Sequence, residues 1–448
     1  MSEFIPHTPQ DQRQMLQTIG LSSIEELFSD IPQQILQRYR PLGLEPESEL
    51  EVARHLRALA KKNANPDENI CFIGGGIYDH YLPSVIDYFL QRGEFLTAYT
   101  PYQPEISQGT LTVLFEYQTM VAELTGMDVA NASLYDGSTA LAEAMLLARR
   151  VSGRSKFLMA QSLNPNYQAV LRTYAWAADL ELITVPLDRN GQLDRSFLRQ
   201  RLNSNDDIGG LLMQTPNFWG LIEDLSGLKE LLGPALLCVS VNPIAAGLLE
   251  PPGACGADIV TGEGQVLGNA PNFGGPLLGL FACHKSYLRQ LPGHVVGRTV
   301  DLDERTGYVM TLQAREQHIR RERATSNICT NQTLLALAST IYLASLGRQG
   351  LRRVAELCAQ KAHYLAERIA ALPGYALRWS GAPFFNEFAI TTPVAPQTLL
   401  DHLRRRGILG GLSLEPYGDG QTLLIAVTER RSRAELDAYL QALKELKA

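Results

Sequence analysis

Leu236-Leu-Cys-Val-Ser-Val241 is a short apolar run of the kind that forms a buried β-strand. Similar runs precede and follow it, at Lys156–Ala160, Glu181–Val185, Gly210–Gln214 and Asp258–Val260. Helical patterns lie between them, including Thr110–Thr125 and Thr139–Val151. Because alternating strands and helices are typical of parallel sheets covered on both faces, the sequence predicts an α/β fold with a large, mostly parallel sheet.

The chain divides into three predicted regions. Residues 1–65 carry short helical patterns and predict a helical arm, which ends at the breaker run Asn63-Ala-Asn-Pro66. Residues 66–325 contain the strand–helix alternation and predict the large domain. From residue 326 onward, long helical segments precede short strand segments, so residues 326–448 predict a small C-terminal α+β domain.

Composition excludes several classes of protein. The net charge of −7 argues against a nucleic-acid binder, whose surface would be broadly basic. The chain has no uninterrupted apolar run of about 18 residues, so no membrane span is predicted. The stretch Met1–Asp11 lacks the pattern of a secretory signal, which favours a cytoplasmic location; an organellar location, with the presequence absent, is the alternative. Cysteines and histidines show no metal-site spacing, so we predict no metal and six reduced thiols.

Two features have the chemistry of a cofactor site. In Asp136-Gly137-Ser138-Thr139, a glycine and two hydroxyls stand where a helix begins, and free backbone N–H groups there suit phosphate. A simple helix N-cap remains the alternative. Asp258 opens a predicted strand before a glycine-rich stretch, where a carboxylate could pair with a pyridinium nitrogen. A strand-edge aspartate without such a role is the alternative.

The segment Thr97–Gly109 combines stiffness with polar groups. Its prolines, Pro101 and Pro104, fix an extended course. A rigid loop that is rich in polar groups suits substrate recognition. The candidate residues are Tyr99, Tyr102, Gln103, Glu105, Ser107 and Gln108. The alternative is an ordinary proline-rich surface loop.

Positive charge concentrates in the segment Arg315–Asn327. It suits a carboxylate, a phosphate or an acidic partner. Glu316 and Arg320 stand four positions apart, so a paired and solvated helix face is the alternative. The candidate residues are Arg320, Arg321, Arg323, Thr325, Ser326 and Asn327.

These stretches together resemble the P-protein family of the glycine cleavage system, which are decarboxylating glycine dehydrogenases that depend on pyridoxal phosphate (PLP). The matching motifs are Phe72-Ile-Gly74, Thr97–Gly109, Asn131-Ala-Ser133, Gly262-Glu-Gly-Gln265, Phe273-Gly-Gly-Pro276, Arg315–Arg321 and Ala324–Thr330. The resemblance spans the whole chain and implies the aspartate-aminotransferase-like fold of fold-type I PLP enzymes. Of the two halves of the family, this chain resembles the N-terminal half, which in some organisms is a separate first (α) subunit.

The chain departs from the family pattern at the lysine that would hold PLP. In fold-type I enzymes that lysine follows the pyridinium-pairing aspartate by a few residues. No lysine occurs between Asp258 and His284, and Gln265 and Val266 stand about where it would fall. Lys285 is the nearest candidate, but it follows an apolar run on the wrong side of the Gly-Gly turn.

The resemblance therefore implies an α subunit without a catalytic residue of its own. PLP would be held by a β subunit, in an α2β2 assembly that decarboxylates glycine, releases CO2 and transfers the aminomethyl group to the lipoyl arm of the H-protein. The loop Tyr99–Gln108 would line the partner's site, and Arg320–Asn327 would lie on the H-protein path or the subunit interface. Two alternatives stay open: a non-catalytic subunit that only stabilises the β subunit, and a standalone PLP enzyme that uses Lys285.

Overall fold

The computed structural model describes residues 7–40, 42–204, 207–272 and 274–446. Some residues named in the predictions lie outside the described ranges. These include the first six residues of the predicted arm, which also belong to the segment compared with secretory signals. They also include Phe273 of the Phe273-Gly-Gly-Pro276 motif and the last two residues of the predicted C-terminal domain. The chain packs as two units, Met1–Ala64 and Asn65–Ala448. Since Asn65–Ala448 is one unit, the division at residue 325 stays a prediction.

The strands are β1 (Ile70–Cys71), β2 (Val129–Ala130), β3 (Lys156–Ala160), β4 (Glu181–Val185), β5 (Ile208–Thr215), β6 (Leu236–Val241), β7 (Ile259–Glu263), β8 (Gly279–Cys283), β9 (Val295–Val300), β10 (Thr306–Thr311), β11 (Ala376–Leu377), β12 (Glu387–Thr391), β13 (Ile408–Leu409), β14 (Leu412–Ser413) and β15 (Thr422–Ala426). The helices are α1 (Pro9–Ile19), α2 (Gln33–Leu36), α3 (Glu49–Ala60), α4 (Ser84–Leu90), α5 (Gly93–Leu96), α6 (Gln108–Thr125), α7 (Gly137–Ser152), α8 (Pro165–Ala177), α9 (Arg195–Asn203), α10 (Leu228–Leu232), α11 (Gln317–Arg320), α12 (Thr333–Ala370), α13 (Pro396–Arg404) and α14 (Arg433–Glu445).

A seven-stranded sheet with the order β2-β8-β7-β6-β5-β3-β4 forms the centre of the second unit. Strands β4, β3, β5, β6 and β7 are parallel, whereas β8 runs antiparallel to both of its neighbours. The five predicted strands all lie in this sheet, which confirms the mostly parallel α/β prediction. Because the side chains of β3, β5, β6 and β7 are mostly buried on both faces, these strands are continuous apolar runs, whereas the edge strand β4 is exposed at Glu181 and Thr184.

Helices α6 and α7 pack against the sheet, α12 packs against α6, and all three contribute to its hydrophobic core. Glycines in the left-handed conformation end α6 at Gly126 and α7 at Gly153, as expected for helix C-caps. Gly347 has non-helical φ 59° and ψ −177° and interrupts α12. The long helix therefore consists of two segments joined at this glycine.

The C-terminal part of the second unit has its own sheet and core. Strands β11, β12, β15 and β14 form a four-stranded sheet in that order, and every pairing is antiparallel. Phe388, Leu423 and Tyr439 belong to a hydrophobic cluster between this sheet, α13 and α14. The predicted α+β character of this region is thus confirmed.

The first unit contains α1, α2 and α3. Capping boxes begin α1 at Thr8 and α3 at Ser48, where each hydroxyl accepts from the third helical N–H and the carboxylate there accepts from the cap N–H. That residues 1–65 form a helical arm stays a prediction.

Candidate functional site

The central sheet presents two different edges. Its parallel strands end at Ala160, Thr215, Val241 and Glu263, and we call this side the carboxyl edge. The opposite side, where the same strands begin, is the amino edge. Ligands of open α/β sheets bind beyond the carboxyl ends of the strands. The carboxyl edge is therefore where a cofactor site is expected.

The predicted phosphate-type turn, Gly137–Thr139, begins α7 at the carboxyl edge. Asp136 caps this helix and accepts from the backbone N–H and the hydroxyl of Thr139, at 2.9 Å each. The Ser138 hydroxyl donates to the same carboxylate. Both hydroxyls are thus engaged with Asp136, and the geometry is that of the helix cap that the sequence left open as the alternative.

Glu263 occupies the position at which an anion would meet this helix. Its Oε2 accepts from the backbone N–H of Gly137 at 2.9 Å, and its Oε1 accepts from Gln265 and Leu278 at 3.0 and 2.9 Å. Burial raises the pKa of Glu263 to about 7, although these backbone donors lower it. A carboxylate of the chain itself therefore takes the place that suits a phosphate.

Gln265 stands where the sequence comparison expected the PLP-holding lysine. It is buried, and its Oε1 accepts from the backbone N–H of Tyr78 at 3.0 Å. Its Nε2 donates to the carbonyls of Tyr78 and Asn269 at 3.1 and 2.7 Å. The amide thus links the sheet to the segment around Tyr78 and offers no nucleophile.

The segment Gly74–Tyr81, which we call the plug segment, fills the space over the carboxyl edge. Tyr78 donates its hydroxyl to Glu387 Oε2 at 2.8 Å, and Gly75 donates its N–H to Oε1 at 2.7 Å. Burial raises the pKa of Glu387 to about 7. A Cβ at Gly74 would overlap Glu387 and Ala426, which explains a glycine at this close approach. What remains of the cleft is a small cavity lined by Tyr78, Tyr167, Asn242, Glu263, Asn386 and Glu387.

Asp258 lies at the amino edge, which corrects its expected place beside a cofactor. It precedes β7, whereas Glu263 ends that strand about 16 Å away at the rise of a β-strand. Its Oδ2 accepts from the Lys229 amine at 2.7 Å and from the Leu237 N–H at 2.8 Å. The carboxylate is therefore part of a structural ion pair, as in the alternative for a strand-edge aspartate.

Lys285 lies on the same side as Asp258. Strand β8 is antiparallel to β7, so Gly279 pairs with Glu263 at the carboxyl edge and Cys283 pairs with Ile259 at the amino edge. Lys285 follows Cys283, and its N–H donates to Asp128 Oδ2 at 2.9 Å. Its backbone therefore lies across the sheet from the Gly137–Thr139 turn.

The loop Tyr99–Gln108, which we call the tyrosine loop, connects α5 to the start of α6. Tyr99 is 79% exposed and Tyr102 is 46% exposed. Gln103 and Glu105 are also exposed, and Ser107 is half-buried. Gln108 differs from these, because its amide is fully engaged: it donates to the carbonyls of Pro104 and Tyr308 at 2.7 and 2.8 Å and accepts from the Tyr308 N–H at 2.8 Å. Its expected role as a contacting residue is not supported by this geometry.

The segment Arg315–Asn327, which we call the basic segment, has both exposed and buried residues. Arg320, Arg321, Arg323 and Asn327 are exposed, and Thr325 and Ser326 are half-buried. Glu316 is only 7% exposed and contacts His294 and His318, not Arg320. The alternative of a Glu316–Arg320 pair on a solvated helix face is therefore wrong, because Glu316 points into the protein.

The basic segment and the residues that follow it lie next to the connection between β2 and α7. Burial raises the pKa of the Glu143 carboxyl on α7 to about 7, and the neighbouring Ser326 hydroxyl opposes this shift. Asn331 Nδ2 donates to the carbonyl of Ala132 at 2.6 Å, and the Gln332 N–H donates to Ser133 Oγ at 3.0 Å. The basic segment thus runs into the strand β2–helix α7 connection.

One group of three side chains among the described residues brings together atoms that could bind a metal ion, namely His80, Cys358 and Glu429, within 4.8 Å. His80 Nδ1 lies 2.6 Å from Glu429 Oε2, and Cys358 Sγ donates to the same oxygen at 3.4 Å. The Lys361 amine donates to the Glu429 carbonyl at 2.5 Å and adds positive charge. We interpret the group as an internal hydrogen-bonded link, and the absence of a metal stays a prediction. All six cysteines are free.

Three residues of the site were missed by sequence reasoning. Glu263 lies inside the motif Gly262-Glu-Gly-Gln265, and Glu387 is the one acidic residue of β12. An acidic side chain in a strand that is otherwise apolar is a signal for a buried, bonded carboxylate. Tyr78 gave no comparable signal.

Comparisons with known proteins extend this picture. Residues 2–443 match the family described as Glycine cleavage system P-protein. A protein of Desulforamulus reducens, described as probable glycine dehydrogenase (decarboxylating) subunit 1, is 50% identical over 440 residues, which are 97% of this chain and 98% of that relative. None of the helices in the described ranges combines the length and the apolar character needed to cross a bilayer.

Solved structures agree with the sequence comparisons. A crystal structure of glycine decarboxylase (P-protein) of the glycine cleavage system, in inhibitor-bound form, is 44% identical, covers 99% of both chains and has a TM-score of 0.88. Glutamate decarboxylase of Lactobacillus brevis, at 15% identity and with a TM-score of 0.68 over 95% of this chain and 96% of that chain, shares the fold alone. The predicted fold-type I architecture of PLP-dependent enzymes is thereby confirmed. On this family match and these identities over nearly the full length, the chain belongs to the glycine cleavage system P-protein family.

Proposed function

We propose that this chain is the α subunit of a glycine-decarboxylating P-protein and that a β subunit holds PLP. The observation that carries this division is the filled carboxyl edge: Glu263 occupies the start of α7, and Gln265 stands where a lysine was expected. The description of the Desulforamulus reducens relative as subunit 1 supports a second subunit.

The residues of this chain do not fit PLP. The hydroxyls of Ser138 and Thr139 are bonded to Asp136, so they are not free for a phosphate. The carboxylate of Asp258 lies at the amino edge beside Lys229. A phosphate at α7 would also compete with the carboxyl group of Glu263, which already accepts the Gly137 N–H at 2.9 Å. No catalytic step is therefore assigned to a cofactor on this chain.

The function proposed for this chain is to complete the partner's site. Tyr99, Tyr102, Gln103, Glu105 and Ser107 lie on a stiff loop and offer hydroxyl, amide and carboxylate groups to solvent or to a partner. In an α2β2 assembly in the cytoplasm, the complete enzyme would decarboxylate glycine and pass the aminomethyl group to the lipoylated H-protein, with release of CO2. The other candidate is a subunit that only stabilises the β subunit.

Removal of the loop hydroxyls tests this role. In the assembled enzyme, Tyr99→Phe and Tyr102→Phe are each expected to lower the exchange of the glycine carboxyl with CO2 by about 10- to 100-fold, the range for a lost hydrogen bond to a charged group. Tyr88→Phe is the matched control, since Tyr88 is an exposed tyrosine on α4, outside the loop. Full exchange rates in correctly assembled loop variants would favour the purely stabilising subunit.

Absorption spectroscopy tests which subunit holds PLP. The isolated chain mixed with PLP is expected to show no visible band of a lysine adduct, whereas the assembly with the β subunit is expected to show one. Lys285→Ala is expected to leave both spectra unchanged, because Lys285 follows the amino-edge end of β8. A band from the isolated chain that Lys285→Ala abolishes would instead support the standalone PLP enzyme.

Charge neutralisation tests the H-protein path. Replacing Arg320, Arg321 and Arg323 by Gln is expected to weaken H-protein binding by about 10-fold at low salt, given the small contribution of each exposed charge. The chain has a net charge of −7, so an acidic carrier would need a local basic patch. Arg172→Gln, an exposed arginine on α8, is the control. An unchanged Kd in the triple variant at low salt contradicts the assignment.

A further inference from the structure

The last residue of the tyrosine loop, Gln108, fixes the C-terminal end of the loop. Gln108 begins α6, and its Nε2 donates both to the Pro104 carbonyl of the loop and to the Tyr308 carbonyl of β10, at 2.7 and 2.8 Å. Its Oε1 accepts from the Tyr308 N–H at 2.8 Å. The amide therefore pairs with both main-chain groups of Tyr308, as a neighbouring strand would, and ties the loop to the β9–β10 hairpin.

Tyr102 forms a second attachment point in the middle of the loop. Its ring is edge-on to His294, with centroids 6.1 Å apart and an interplanar angle of 84°. It is also edge-on to His318, at 5.9 Å and 72°. Edge-to-face arrangements at this spacing are favourable for aromatic rings. The two histidines thus contact the ring of Tyr102, which is 46% exposed.

The carboxylate of Glu316 contacts both histidines. Its Oε2 is 3.0 Å from His294 Nδ1 and 3.6 Å from His318 Nδ1. Glu316 and His294 are both buried, at 7% and 3% exposure, whereas His318 is exposed. The backbone around Glu316 is itself fixed, because Arg315 donates to the Gly293 carbonyl at 2.7 Å and accepts from the Thr325 N–H at 3.0 Å. The Glu316 carboxylate therefore lies within ion-pair distance of both histidine rings.

We infer that Glu316 and Gln108 are positioning residues for the tyrosine loop. Gln108 holds the end of the loop, and Glu316 holds Tyr102 through His294 and His318. Neither side chain contacts the reacting groups, since the Gln108 amide is used within the chain and Glu316 is buried. The inference rests on the proposed role of the loop in the partner's site, and it assigns to the basic segment a structural link with that loop.

A double-mutant cycle in the assembled enzyme tests the inference. Tyr102→Ala, Glu316→Gln and the double variant are compared by the exchange of the glycine carboxyl with CO2, at several glycine concentrations. Glu316→Gln keeps the volume of the side chain and removes its charge. It is expected to lower the exchange by about 3- to 10-fold in the natural background, the effect of a misplaced aromatic contact. In the Tyr102→Ala background, Glu316→Gln is expected to leave the exchange rate unchanged.

Gln108→Met gives a second cycle with Tyr102→Ala, in case Glu316→Gln assembles poorly. It keeps the length of the side chain and removes all three hydrogen bonds, so the same non-additive loss is expected. Glu123→Gln is the control, because Glu123 is exposed on α6, the helix that Gln108 begins. Additive losses in both cycles would show a purely structural role and overturn the inference while the proposed function survives. An unchanged rate in Tyr102→Ala alone overturns the proposed function and, with it, the inference.

Discussion

Asp79→Ala is expected to lower the free energy of unfolding by about 3–5 kcal/mol, because it removes the buried partner of Arg431 and leaves this arginine only its longer contact with Glu435, at 3.5 Å. Asp79 belongs to the plug segment and is 4% exposed. Its carboxylate contacts Arg430, and it lies 3.1 Å from Arg431, whose side chain is also 4% exposed. The Thr428 hydroxyl donates to the Asp79 carbonyl at 2.7 Å. The aspartate thus anchors the plug segment to the connection between β15 and α14.

Asp67→Ala is the matched control for this prediction. Asp67 also contacts Arg430, at 3.5 Å, but its side chain is 85% exposed. Exposed ion pairs contribute about 0–1 kcal/mol, so this variant should unfold close to the natural chain. Urea unfolding of both variants gives the comparison. Equal midpoints for Asp79→Ala and Asp67→Ala would mean that the buried contacts do not hold the plug segment.

The central sheet could be predicted because its strands are continuous apolar runs. Lys156–Ala160 and Leu236–Val241 have the same bounds in the sequence reading and in the structure. The hairpin of β9 and β10 was not predicted, because the C-terminal half of β9 is exposed and carries Arg298 and Thr299. The reversed direction of β8 could not be predicted either, since a five-residue apolar run carries no information on strand direction.

The candidate site was predicted only where its contacts are local. The cap at Asp136–Thr139 follows from neighbouring residues, and capping chemistry has a known spacing. The bond between Gly75 and Glu387 joins positions 312 residues apart, which no local pattern reveals. Asp258 was misplaced for a related reason: spacing counts residues along the chain, but only the register of β7 shows which edge of the sheet a residue reaches.

Glu387→Gln is expected to make the chain more stable at pH 8 and to leave its stability unchanged at pH 4. Burial raises the pKa of Glu387 from 4.5 to about 7, against the opposing effect of hydrogen bonds from Tyr78 and Gly75. The folded chain therefore binds this proton more tightly than the unfolded chain. The resulting stability is complete below pH 4.5 and is lost as the pH rises through about 7. The loss is about 3 kcal/mol, and a neutral amide avoids it.

The geometry around Glu387 supplies a control for this prediction. A glutamine there could accept from the Gly75 N–H and donate to the Tyr78 hydroxyl, so both contacts survive. Glu263, whose pKa is also raised to about 7, accepts backbone N–H groups on both oxygens, and an amide nitrogen would oppose one of these donors. Glu263→Gln is therefore not expected to gain stability at pH 8.

Thermal unfolding of the natural chain and both variants between pH 4 and 8 measures the difference. Parallel curves for the natural chain and Glu387→Gln would mean that Glu387 ionises in the folded chain as easily as in water, and the plug segment would then close over a carboxylate and not over a carboxylic acid.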